Sequence, residues 1–152
     1  MLPQLYLDSL KIEDRRRIWY GNLARLELAS FLIESGGQVA GFVNLWPCQK
    51  DASAMEITSL YVDPDHWGRG LGSKLMERAI DCVVDRGHRR VRLWVLADNV
   101  GARAFYERCG FRHEGVGRQE RSFGGLRVRE LQYGLAVTES RAAYPGRGLQ
   151  ND

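Results

Sequence analysis

Three alternating glycines stand in the segment His66-Trp67-Gly68-Arg69-Gly70-Leu71-Gly72-Ser73, and the chemistry open to such a segment is anion binding. It follows a β-prone run and precedes an apolar helical stripe. Unpaired backbone N–H groups and the positive end of a helix dipole can therefore converge on a phosphate. A Cβ here would hold a pyrophosphate away from the main chain, and loops of this kind often need dihedrals closed to other residues. The glycines alone fit a flexible turn equally well. Two common nucleotide motifs fail on this loop. Walker A needs Gly-Lys-Ser/Thr in succession, but Ser73 separates Gly72 from Lys74; the GxGxxG spacing would need glycine where Leu75 stands.

A second segment, Asn99-Val100-Gly101-Ala102-Arg103-Ala104-Phe105-Tyr106-Glu107-Arg108-Cys109-Gly110-Phe111, opens on a residue type that caps helices and closes on a glycine that stops them. Ala102, Phe105, Tyr106 and Cys109 fall at three- and four-residue spacings, so one side packs while the tyrosine hydroxyl can reach a cleft. The other usual sources of chemistry are missing. His66, His88 and His113 fall at no ligand spacing, so no metal is expected. Cys48, Cys82 and Cys109 form no CxxC pair, which predicts reduced thiols rather than a disulfide framework or a zinc site.

The elements that must position these segments can be read from periodicity. Helical apolar spacing runs through residues 5–28, at Ile12, Trp19, Leu23 and Leu26. Two β-prone runs, 30–35 and 38–45, are joined by Gly36-Gly37, a pair suited to a tight hairpin. A third strand over 55–62 is ended by Asp63-Pro64-Asp65, since proline lacks the ladder N–H. Leu71, Leu75, Ala79 and Val83 recur every fourth residue as a helical stripe widened by Met76 and Ile80 and stopped at Gly87. Val91, Leu93 and Val95 alternate as a strand, residues 102–109 are helical, and 111–116 with 126–137 form a closing strand pair. The order ββ-β-α-β-α-ββ implies an α/β or α+β fold with a mixed sheet: the crossover helix allows one parallel pair, while the hairpins demand antiparallel ones.

The chain has 152 residues, 44% hydrophobic and 27% charged, the size and composition of one packed domain. Residues 1–137 are expected to form it, with a polar, mobile tail over 138–152. No apolar run approaches the roughly 18 residues of a membrane span, and the N-terminus does not read as a signal peptide, so no membrane partner and a cytoplasmic setting are expected. A net charge of +3 without a localised basic patch or recognisable module argues against nucleic acid.

Together the two segments resemble the GNAT superfamily of acyl-CoA-dependent N-acetyltransferases. Its loop pattern is Gln/Arg-x-x-Gly-x-Gly/Ala and its later helix carries Asn-x-x-Ala-x-x-x-Tyr-x-x-x-Gly-Phe. Trp67 stands where the first pattern has a polar residue; Gly70 and Gly72 match it, and Asn99, Ala102, Tyr106, Gly110 and Phe111 match the second throughout. The resemblance runs over about residues 29–137 and implies a mainly antiparallel sheet with flanking helices and a parallel pair splayed for acyl-CoA. It places the pyrophosphate of acetyl-CoA on the amides around Trp67, Gly68, Arg69, Gly70, Leu71, Gly72 and Ser73, with Arg69 and Lys74 as added charge. Pantetheine would lie between Leu60, Tyr61 and Val62 on one side and residues 94–97 on the other, near Asn99 and Ala102. A backbone N–H near Leu60 or Tyr61 would face the thioester carbonyl.

The implied reaction is transfer of an acetyl group from acetyl-CoA to a primary amine by direct attack. An ammonium with a pKa of about 10 has no lone pair to attack with, so a base is needed. Family members place one, working through water, at the start of the central strand, where Glu56 stands; Glu56 also fits an edge carboxylate or a substrate-orienting group. The resemblance makes Tyr106 the proton donor or hydrogen-bond donor to the departing thiolate. Direct attack needs no acyl-enzyme, so the cysteines are not nucleophiles.

The family opens with a strand and a helix before the acceptor region, whereas residues 1–10 here resemble the later part of that region. The first strand is therefore expected to be missing, either because the chain starts short or because this subgroup dispenses with it. Residues 1–28 are then the variable acceptor region, and an exposed sheet edge calls for cover, a homodimer being one remedy. Trp19, Tyr20, Trp46 and Phe123 are cleft or packing aromatics. The acceptor is an amine-bearing small molecule, protein or peptide. The alternative from another class is a noncatalytic acyl-CoA-binding module for regulation or interaction, which keeps the loop and loses turnover.

Overall fold

Short-range signals account for the hairpin turn and the strand stop that open the sheet. The computed structural model describes residues 27–123 and 126–137. The helices expected over 5–28 (Glu27 and Leu28 apart), Trp19, Tyr20, the missing first strand and the tail over 138–152 lie outside the described residues. Strands β1 (Ala29–Ser35) and β2 (Gln38–Pro47) form an antiparallel hairpin. Gly36 and Gly37 close it at φ +60° and +79°, the left-handed pair that a two-residue turn needs to match strand twist. Strand β3 (Ala54–Val62) adds antiparallel to β2. It ends at Asp63, whose carboxylate accepts from the Asp65 N–H at 3.0 Å and starts a single 3-10 turn, Pro64–His66.

Helix α1 (Leu71–Asp85) crosses over to β4 (Arg90–Leu96), which lies parallel to β3. Helix α2 (Val100–Arg108) leads into β5 (Arg112–Phe123) and β6 (Leu126–Ala136), an antiparallel pair whose second strand inserts beside β4. The sheet order is β1-β2-β3-β4-β6-β5, antiparallel throughout except for β3 and β4. The fold is thus the mixed, mainly antiparallel α/β arrangement that the sequence implied. Strand β5 continues seven residues past the expected end at Val116. The ladder survives register shifts between His113 and Gly117 and again between Arg118 and Arg121, with Gly115 at φ +75°; bulges let a strand bend and continue.

One face of the sheet is covered by α1. Its Leu75, Met76, Ala79, Ile80 and Val83 are buried in one cluster with Val43, Leu45, Met55, Ile57, Val91 and Leu93. Each buried side chain of this size contributes roughly 1.5–3 kcal/mol, so the helix is fixed mainly by apolar packing. Helix α2 has no fully buried residue; Ala102, Phe105 and Tyr106 pack partly buried against the same core, and polar contacts add to this. The hydroxyl of fully buried Tyr133 donates to Glu107 at 2.9 Å and accepts from Arg103 Nε at 3.1 Å. Arg103 also donates to the Ala97 carbonyl at the end of β4, at 3.0 Å.

Candidate functional site at the splay of the parallel pair

Strands β3 and β4 are paired only over residues 54–57 with 90–93. Beyond that, β3 runs on to Val62 and β4 to Leu96 without pairing to each other. The divergence begins at an irregularity. Asn44 opposes Ser59 and Leu45 opposes Ile57, so Thr58 is an extra residue in β3, and a bulge re-aims the strand that carries it. The result is an internal gap with strand edges facing it, a template for an extended ligand.

On the α1 side of the gap lies a cavity of about 570 Å³. Leu60 and Val62 of β3 line it, then Trp67, Gly68 and Gly70 of the loop, Leu71, Gly72 and Ser73 of the first turn of α1, and Asn99, Ala102 and Tyr106. Gly68 and Gly70 adopt φ +74° and +72°, and a Cβ on either would project into open space. Gly72 serves packing instead: a Cβ there would lie 3.4 Å from the Phe105 ring. Gly70 caps α1 with no side-chain hydrogen bond, and no acidic residue sits in the first turn. The first amides of α1 are therefore open to an anion. Trp67 donates from Nε1 to the Val62 carbonyl at 2.8 Å while its ring stays exposed.

Tyr106 is half-buried, its ring 5.4 Å from that of Phe105 and 6.1 Å from that of Phe111. Burial, with a smaller contribution from Cys109, pushes its phenol up to about 12, so it is protonated across the physiological range. Asn99 caps α2, Oδ1 accepting from the Ala102 N–H at 3.1 Å. Tyr61, Arg69 and Lys74, expected here, do not line the cavity, and neither do residues 94–97. Tyr61 stacks toward Phe42, ring centres 5.8 Å apart, and the exposed Arg69 guanidinium lies 3.4 Å from His66 Nδ1. Sequence reasoning missed Gly101, Phe105 and Arg108, which also line the cavity; their i, i+4, i+7 spacing on α2 was the available signal.

The opposite face carries a second cavity of about 800 Å³, and it holds Glu56 and Trp46. Strand register sets its floor. Trp46 pairs with Glu56, Glu56 with Arg92, and Arg92 with Gly134; the next row sets Trp94 beside Gln132. Arg92 is held from two sides, by Asp51 at 2.9 Å and by Glu114 at 3.1 Å, and Glu114 also binds Arg90. Burial would lower the Arg92 pKa, but Glu114, Cys48 and Asp51 together raise it. Asp51 is kept below the usual carboxylate range first by hydrogen bonds from Ser53. A Cβ at Gly134 would strike the Glu114 carboxylate, so the glycine leaves Glu114 its path across β6. Arg118 lies with its guanidinium 4.0 Å from the Trp94 ring centre and donates from Nε to Glu130 at 2.6 Å. Glu56 and Tyr106, the two residues expected to exchange protons with substrate, line different cavities, on opposite faces of the sheet.

Comparison with known proteins adds a family. The family model described as Acetyltransferase (GNAT) family matches residues 2–111. An uncharacterized N-acetyltransferase of Methanocaldococcus jannaschii is 38% identical over 104 residues, covering 64% of this chain and 46% of its own. A mycothiol acetyltransferase of Clavibacter sepedonicus is 42% identical over 95 residues, covering 61% of this chain and 30% of its own. The chain thus spans less than half the length of either relative. Among solved structures, the ribosomal-protein-S18-alanine N-acetyltransferase of Escherichia coli superposes with a TM-score of 0.68 at 25% identity, over 84% of this chain and 79% of that one.

Proposed function

This chain belongs to the acetyltransferase (GNAT) family, and on that footing we propose that it transfers an acetyl group from acetyl-CoA to a primary amine by direct attack within a ternary complex, through one domain spanning residues 1–137. The observation that carries this reading is the β3–β4 gap, with uncapped helix amides at one mouth and a carboxylate at the other. The diphosphate rests on the amides of residues 68–73. The pantetheine arm adds to the free edges of β3 and β4 as a strand would. The thioester then lies in the gap, its carbonyl oxygen toward a main-chain N–H of β3 near Leu60, where developing negative charge is stabilised.

The amine approaches from the second cavity. Glu56, through water, takes the proton that the attacking nitrogen loses as its bond to the carbonyl carbon forms. Collapse of the intermediate breaks the carbon–sulfur bond, and the sulfur leaves toward Tyr106. A thiol with a pKa of about 8.5 makes its thiolate too weak a base to take a proton outright from a phenol near 12. Tyr106 therefore acts chiefly by donating a hydrogen bond to sulfur as its charge grows, and the thiolate acquires its proton from solvent. Asn99, with Oδ1 committed to the helix cap, presents its amide N–H groups to the pantetheine region.

An amine acceptor is also supported by the Escherichia coli neighbour, named for an alanine of ribosomal protein S18. All three cysteines are free, in keeping with the cytoplasm as the proposed compartment. A noncatalytic acyl-CoA-binding module would need only the first cavity; Glu56 in the second favours the enzyme. The test is calorimetric titration of acetyl-CoA followed by a screen of amines and peptide N-termini for CoA release. Binding with release for at least one acceptor is expected. Binding without release across the screen points to the noncatalytic module, and no binding sinks both readings.

A further inference from the structure

We propose that the second cavity takes an acceptor carrying an oxyanion, carboxylate or phosphate, close to its amine, and that Arg118 reads that group; the proposal rests on the acetyl-transfer reading above. The charged residues lining the cavity are Lys50, Arg92 and Arg118 against the single carboxylate of Glu56. A polyamine, arriving as several ammonium groups, would find only Glu56 as a carboxylate on that wall, whereas an acceptor with its own negative charge would bring a partner for a guanidinium with donors to spare.

The cations differ in what they have left to offer. Arg92 lies between Asp51 and Glu114 and is already neutralised. Arg118 spends only Nε on Glu130, and its Nη atoms make no hydrogen bond among the described residues. Its guanidinium is seated over the Trp94 ring, and Glu130, itself buried, holds Nε. A planar fork fixed in advance is the arrangement that matches carboxylate or phosphate in two parallel bonds.

The spacing also fits. The guanidinium lies over Trp94, one row along and one strand over from Glu56. Two residues of rise and one inter-strand step set the Cα atoms of Glu56 and Trp94 roughly 8 Å apart. An acceptor whose amine and oxyanion lie a few bonds apart can then reach toward both side chains in the one cavity. Glu56 would then face the nitrogen and Arg118 the acid, the geometry of an amino acid or an aminoalkyl phosphate.

The experiment is a matched acceptor panel read by CoA release: free amino acids against their amides, phosphoethanolamine against ethanolamine, and spermidine. Wild type is expected to favour the acid or phosphate member by about tenfold or more in kcat/KM, the scale of one charged hydrogen-bond pair. The amino-acid and phosphate arms separate the two sources of the oxyanion. Arg118→Gln should raise KM for the anionic member and erase that preference, and Arg118→Lys should restore part of it; the acetyl-CoA Kd and the melting temperature serve as folding controls. The wild-type comparison needs no variant. Equal or better turnover of amides, ethanolamine or spermidine overturns this proposal while leaving the transferase reading intact. Failure to bind acetyl-CoA, or to release CoA with any amine, overturns both.

Discussion

The cavity on the α1 side of the sheet is walled largely by glycine and by apolar side chains from one strand, one loop and the two helices, whereas the cavity on the opposite face is walled by side chains from five strands and the loop after β2. Backbone donors at a helix start recognise a diphosphate whatever is attached to it. A floor of tryptophan, carboxylate and guanidinium groups discriminates among acceptors by shape and charge. One side of the gap is thus suited to a cosubstrate that stays the same and the other to a specificity that can change. The two helices differ by degree: α1 is held by a fully buried apolar stripe, while α2, which carries Tyr106, packs only partly buried side chains and adds a polar network through Tyr133, Glu107 and Arg103.

The division of labour can be broken from either side. Gly70→Glu should have the largest effect, weakening acetyl-CoA by about 100-fold or more in calorimetry. It sets a carboxylate against the diphosphate and a Cβ at φ +72°, which alone costs roughly 1–2 kcal/mol. Unchanged affinity would mean that the backbone wall is not the cosubstrate's. Tyr106→Phe should follow, lowering kcat by about 10- to 100-fold, within the range of acid–base groups, with acetyl-CoA affinity little altered. An equal loss in both quantities would reassign the residue from chemistry to binding.

Glu56→Gln should lower kcat/KM about tenfold at neutral pH through the acceptor alone. Raising the pH should recover part of that loss, because an α-amine with a pKa of about 8 then needs no help to become neutral. A loss independent of pH would leave Glu56 an orienting group. Gly134→Ala should displace Glu114 from Arg90 and Arg92, costing about 1–3 kcal/mol in a denaturant melt. It should also raise acceptor KM without touching acetyl-CoA affinity. The smallest effect is a null one. The Tyr106 phenol rises from 10.0 to about 12 on folding, so the stability gained by keeping it neutral is complete below pH 10 and lost as pH climbs through 12. Rate and melting profiles between pH 7 and 10 should therefore carry no Tyr106 inflection.

The sequence by itself determined what depends on neighbours within a few residues. A four-residue apolar repeat has one solution, a helix with Leu75, Ala79 and Val83 facing inward. Gly36-Gly37 closes a hairpin because positive φ is open to both, and Asn99 caps α2 because its side chain reaches a nearby N–H. The loop at Gly68 to Ser73 was legible for the same reason, since strand end, glycine conformation and helix start are contiguous. Only the tertiary structure decided what depends on register between strands distant in sequence. It set Glu56 beside Arg92, carried Glu114 across Gly134, laid Arg118 over Trp94, and put Glu56 and Tyr106 on opposite sides of one gap. A single-residue slip reverses which face a strand residue occupies, and no local pattern around Arg118 or Trp94 fixes that choice. The second cavity could be seen only after the sheet had closed around it.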